Sequence, residues 1–258
     1  MASVVLILTF VTVLFFGMLA MIELGRRLRV RQHAMHGEGA GRGLGAVEGA
    51  VFALLGLLIA FTFSGAASRF DARRQLIVEE ANDIGTAYLR LDLLPPITQA
   101  PLRENFRRYV DARLGSTRGI LDSESTRAEH MRALGLQAEI WRDAVAASQQ
   151  SPTTQASMLL LPALNAMIDI TTTRTTAVQM HPPFVIFFLL GGIALASSLF
   201  AGYSMAEASA RSWLHVLGFA AILALSVYVI LDLEYPRLGL IRVDAFDQVL
   251  VNVRDSMN

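Results

Sequence analysis

Glu48 is the one carboxylate in the apolar and small-residue run "GAVEGAVFALLGLLIAFTFSGA". An ionisable group inside such a run is rare and functional by default, although one turn from the start it also reaches headgroup water. Beyond the run, Arg69 and Arg73 sit at i and i+4 with Arg74 beside them. Like charges at that spacing repel, so they call for phosphates, a carboxylate or an anion. Glu79, Glu80 and Asp83 follow two turns later. In several copies arranged about an axis these would form a basic ring and then an acidic one, the layout of an ion-conducting mouth. Headgroup contact for the arginines, and an interfacial or structural role for Glu48, remain as alternatives.

A second constellation lies in "DLEYPRLGLIRVD", residues 232–244, directly after the apolar run "WLHVLGFAAILALSVYVIL". Asp232, Glu234, Arg237, Arg242 and Asp244 alternate with apolar residues, and Pro236 ends the preceding helix. The segment is too apolar for a free tail and too charged for lipid. It is expected to fold back as a structural clasp, its carboxylates pairing with arginines of the central part of the chain. Breaking one half of such a buried pair costs about 3–5 kcal/mol.

Other residue types are less productive. His33, His36 and Glu38 are of metal-ligating type, but five glycines in residues 37–45 loosen their surroundings, and no metal is expected. No nucleophile–base arrangement is evident, and the glycine-rich stretch does not follow a strand as a nucleotide-binding loop requires. The chain reads as a non-enzyme without a cofactor. It has no cysteine, so thiolate chemistry and disulfides are excluded.

The elements that must position these residues follow from composition. The 258 residues are 53% hydrophobic and 17% charged, with a mean hydropathy of +0.47. That combination points to a membrane protein. A formal net charge of zero argues against nucleic acid as a partner. The fold class expected is all-α, with four transmembrane helices at about 4–22, 45–66, 184–204 and 213–231, each long enough to cross about 30 Å of hydrocarbon. The first is a signal anchor rather than a cleaved leader, because its basic residues follow the apolar core.

The chain thus divides into a first pair of spans (1–66), an extramembrane helical insert (67–180), a second pair (181–231) and an interfacial clasp and tail (232–258). Phe70, Ile77, Ile84, Tyr88 and Leu91 recur at heptad-like steps, so the second span continues into the insert as one helix, ending before Pro95-Pro96. Leu102, Phe106, Tyr109 and Val110 mark a second insert helix. Met131, Leu134, Trp141 and Val145 mark a third over 124–149. Leu160, Leu164, Met167 and Ile168 mark a fourth, kinked or delayed by Pro162. A hydroxyl-rich turn, Thr171–Thr173 with Thr175 and Thr176, precedes the third span.

Down the second span, Gly45, Gly49, Ala53, Gly56, Ala60, Ser64 and Ser68 form one small-residue face. Such faces let helix backbones approach closely in lipid. The partner is another span of the same chain, or the same helix of other subunits around a path that this face lines. A bundle of four spans has a limited interior, which favours a homo-oligomer.

The segments "GLLIAFTFSGAASRFDARRQLIVEEANDIGTAYLRLDLLP" and "RSWLHVLGFAAILALSVYVILDLEYPRLGLIRVDAFDQVL" resemble a bacterial family described as bestrophin-like. Through it, the chain is distantly similar to bestrophins, pentameric anion channels whose second membrane helix lines the pore and whose helical cytosolic region lies between membrane helices. The resemblance implies a multi-pass protein of the bacterial plasma membrane and assigns no residue a role. The function expected is that of a homo-oligomeric ion channel, for a small anion, entered past Arg69 and Arg73. The alternative is a membrane-anchored sensor or scaffold whose insert binds a partner. Six arginines in residues 23–44 and 205–212, against three in the C-terminal tail, favour both termini outside.

Overall fold

Where the sequence offers nothing to break a helix, the chain forms one. The computed structural model describes residues 2–36, 44–118, 124–150, 154–206, 213–236 and 239–257, and no strand occurs among them. The chain divides into two units, one made of Met1–Phe70 with His181–Ile241, the other of Asp71–Met180 with Arg242–Asn258.

The first unit holds four helices long and apolar enough to cross a membrane. Helix α1 covers Ala2–His36. It continues 14 residues past Ile22, where the sequence suggests a loop. Glu23 makes this possible by pairing with Arg26 at 3.0 Å and Arg27 at 2.8 Å, one turn away. Helix α2 covers Leu44–Leu89. Its 46 residues correspond to about 69 Å, twice the hydrocarbon thickness. Only its first part belongs to this unit. Helices α6 (Phe184–Met205) and α7 (Trp213–Glu234) complete it.

Helices α1 and α6 run parallel and touch backbone to backbone. A Cβ added to Gly202 would lie 2.0 Å from the Ile22 carbonyl oxygen, and one added to Gly25 would lie 2.0 Å from that of Leu199. Without a hydrophobic force between helices in lipid, such close approach is a main source of association. Met18, Leu190, Ala194, Ala220, Val227 and Ile230 fill the core between α1, α6 and α7. Helix α2 joins this core chiefly through Leu55 and Ala66. Buried residues make up 11% of its apolar span, against 33% for α7.

The second unit contains the remainder of α2, a 3-10 turn at Arg90–Leu93, α3 (Pro96–Arg118), α4 (Glu124–Gln149) and α5 (Gln155–Gln179). A 3-10 turn at Asp244–Asp247 and helix α8 (Gln248–Asp255) close it. The heptad residues Ile77, Ile84, Tyr88 and Leu91 are buried as the spacing predicts, as are Leu102, Phe106, Tyr109, Val110, Leu160, Leu164 and Met167. Helix α5 runs through Pro162.

Two expectations are corrected. Met131, Leu134 and Trp141 are exposed, and α4 instead buries Ala133, Leu136, Ile140 and Ala144. The threonine-rich stretch is not a turn but part of α5. The Thr171 hydroxyl bonds back to the Met167 carbonyl and is also joined to Gln137 and to Tyr109 inside the unit. Residues 232–258 divide between the units at Ile241.

Candidate functional site

Among the described residues, nothing of the chain covers the small-residue face of α2. Gly45, Gly49, Ala53, Gly56, Ala60, Ser64 and Ser68 are all exposed. A Cβ at Gly45, Gly49 or Gly56 would meet nothing within 4 Å. Of the two partners that the sequence offers this face, another span of the same chain is therefore not the one found. Leu54, Leu57 and Phe61 are exposed as well, so the uncovered surface of α2 has two textures. Bulky apolar side chains suit acyl chains, and the small ones suit another helix. Glu48, half-buried, accepts a hydrogen bond from the Ser204 hydroxyl near the end of α6. It stands level with the end of that helix.

At the opposite end of the first unit, Arg69 meets a carboxylate. Its Nε and terminal nitrogen donate to Glu234, at 2.9 and 2.7 Å, and His181 Nδ1 lies 3.0 Å from the same group. Glu234 is fully buried, while Arg69 and His181 are each about one-third exposed. The His181 ring stacks on Tyr235 with centroids 4.6 Å apart. One buried negative charge thus gathers α2, the start of α6 and the end of α7.

Two residues earlier, buried Asp232 accepts the backbone N–H groups of Leu240, at 3.1 Å, and Ile241, at 2.8 Å. Gly239 is demanded by this contact, since a Cβ there would fall 1.2 Å from an Asp232 carboxylate oxygen. Pro236, two residues beyond Glu234, is buried as well. The motif "DLEYPRLGLI" therefore folds back on itself through carboxylates, with Arg69 as the external cation. Arg237 lies outside the described residues. Arg242 is exposed, and Asp244 opens the 3-10 turn of the second unit.

Within the second unit Arg73 is buried. It donates to the carbonyls of Ala177 at 3.1 Å and Met180 at 2.9 Å, closing the C-terminal end of α5 where carbonyls lack helical partners. Glu80 is also buried, which departs from a position in an exposed acidic ring. It accepts hydrogen bonds from Arg113, at 2.6 Å, and from Arg174, which turns its other nitrogen to Asp247 at 3.1 Å. Burial pushes the Glu80 carboxyl up, but the two guanidiniums together outweigh it and hold the group below its ordinary value. The same burial pushes the Tyr109 phenol up, with the Glu80 charge adding to it. Arg113 shares the helix face of Phe106, Tyr109 and Val110, but no residue pattern pairs it or Asp247 with Glu80. Arg174 was visible only as a cation among threonines.

His33 is exposed on α1, and Glu38 lies outside the described residues. Among the described residues no group of three or more metal-ligating side chains gathers.

The family model of the bestrophin-like domain matches residues 13–245. The chain belongs to the bestrophin-like family. The match takes in the first apolar helix from residue 13 onward, the other three, the insert and the "DLEYPRLGLIRVD" segment of this bestrophin-like protein. Comparison with curated proteins and with solved structures gives no match.

Proposed function

We propose that this bestrophin-like membrane protein assembles from several copies of its chain into an ion channel, with α2 of each copy facing the shared axis. The observation that supports this reading is the uncovered small-residue face of α2, which includes the lining candidates Gly56, Ala60 and Ser64. In lipid such a face is suited to another helix at close range, not to acyl chains. Arg69 and Arg73 serve as mouth residues in this reading, Arg69 with part of its guanidinium open to water. Both also hold the fold, so neutralising them tests conduction poorly. The cleaner test is flux of a small anion into liposomes carrying the purified protein, with Ala60→Leu and Ser64→Leu as lining variants. Flux that the bulky variants abolish supports the channel, and absence of flux from an assembled wild-type protein overturns it.

A second reading is a membrane-anchored sensor or scaffold. Its support is the exposure of Leu89, Ile97 and Met158 in the second unit, which count as an interaction surface if they form one patch. A protein recovered on the insert, lost on substituting these three by serine and accompanied by no flux, favours it.

A further inference from the structure

We propose that residues 24–35 of α1 form a binding surface for anionic phospholipid headgroups. The proposal rests on the membrane-spanning reading of the chain and not on ion conduction.

Depth comes first. Helix α6 has 22 residues, enough to span the hydrocarbon at about 33 Å. Two residues before its end, the Tyr203 phenol receives a hydrogen bond from Arg29 at 3.0 Å and gives one to Gln32. The Arg29 guanidinium also lies over the Tyr203 ring, 4.9 Å from its centroid. Arg29 and Gln32 are therefore level with the end of a span, the depth of the headgroups, and Arg26, Arg27 and Arg31 lie within a turn of them.

Charge comes second. Residues 23–36 contain four arginines and a single carboxylate, Glu23. That carboxylate is already divided between Arg26 and Arg27. Arg31 is exposed, and among the described residues it meets no acidic group. By formal count within this segment alone the excess is three positive charges, held on guanidiniums that bind phosphate oxygens in pairs.

The third feature is apolar. Leu24, Leu28 and Met35 are 45%, 44% and 71% exposed. Their spacing of four and seven places them in one line along the helix, with Arg31 between Leu28 and Met35 and Arg27 beside them. An apolar ridge edged by guanidiniums at this depth matches the boundary between acyl chains and phosphates. A free anion would use the arginines and leave the ridge uncovered.

The test uses the full chain, purified in neutral detergent and stripped of lipid. Phosphatidylglycerol, phosphatidylcholine, inorganic phosphate and polyglutamate are added separately, with lipid retention read by native mass spectrometry and thermal unfolding measured in parallel. Phosphatidylglycerol should be retained and raise the unfolding temperature, and phosphatidylcholine should do neither. Arg27→Gln with Arg31→Gln should weaken phosphatidylglycerol binding roughly 25-fold, about fivefold per arginine. Should that variant fail to fold, Arg31→Gln alone, at an exposed position without an acidic partner, should show the single fivefold loss. Equal response to the two lipids overturns the proposal. So does an unchanged variant, a response to inorganic phosphate that matches the lipid's, or binding of polyglutamate in place of lipid.

Discussion

Two guanidiniums share the Glu80 carboxylate inside the insert, and the consequence for stability has a definite sign. Its folded-state value lies below the ordinary glutamate value of about 4.3. The ionised form is thus favoured by folding, and this contribution is complete above about pH 5 and lost as pH falls through the lower, folded value. Thermal unfolding of the purified protein should be level from pH 7 to about 5 and decline below. Glu80→Gln should flatten that decline. It should also cost on the order of 3–5 kcal/mol at neutral pH, because two buried arginines keep only Asp247. Circular dichroism against pH, wild type beside variant, checks both effects. Little of this cluster was legible in the sequence. Glu80 meets Arg113 and Arg174 across 33 and 94 residues; its spacing from Ile77 and Ile84 sets it on the buried heptad face, unlike exposed Glu79, but names no partner for it. The clasp was half legible. The sequence shows that Asp232 and Glu234 need partners, while Asp232 takes backbone N–H groups that no residue pattern announces.

Elements were easier to read where length alone decides. Long apolar runs without proline specify the four spans, and the heptad residues specify the continuation of α2 into the second unit. Helix α4 has the expected bounds, but its buried face is built of alanines with Leu136 and Ile140, while the bulkier Met131, Leu134 and Trp141 are exposed. Size misleads when neighbouring helices lie close enough to exclude large side chains. The same closeness governs α1 and α6. Gly202→Ala should cost about 1–3 kcal/mol, since a methyl cannot lie 2.0 Å from a backbone oxygen without moving the helix. Gly218→Ala in α7, where a Cβ meets nothing within 4 Å, should change stability by under about 0.5 kcal/mol. The yield of monodisperse protein and its unfolding midpoint in one detergent separate the two variants. Equal behaviour would mean that the α1–α6 contact does not hold the bundle.

For the molecule as a whole, the proposed assembly can be probed with a clean chemical background, because the chain has no cysteine. Ala60→Cys and Ser64→Cys, on the uncovered face of α2, should form cross-links between copies under mild oxidation in membranes. Leu55→Cys, at a position 3% exposed, should not. Denaturing gels of membranes prepared before solubilisation report the result, and a ladder absent at all three positions would leave α2 facing lipid.

The contact between Ile22 and Gly202 also has a bearing on biogenesis. About 180 residues separate the two partners. At ribosomal speeds of 5–20 residues per second, α1 waits roughly 10–35 seconds for the helix it will touch. Until α6 is made, Gly25 of α1 has no Leu199 carbonyl against it, so this backbone contact can form only after the third apolar helix has been inserted.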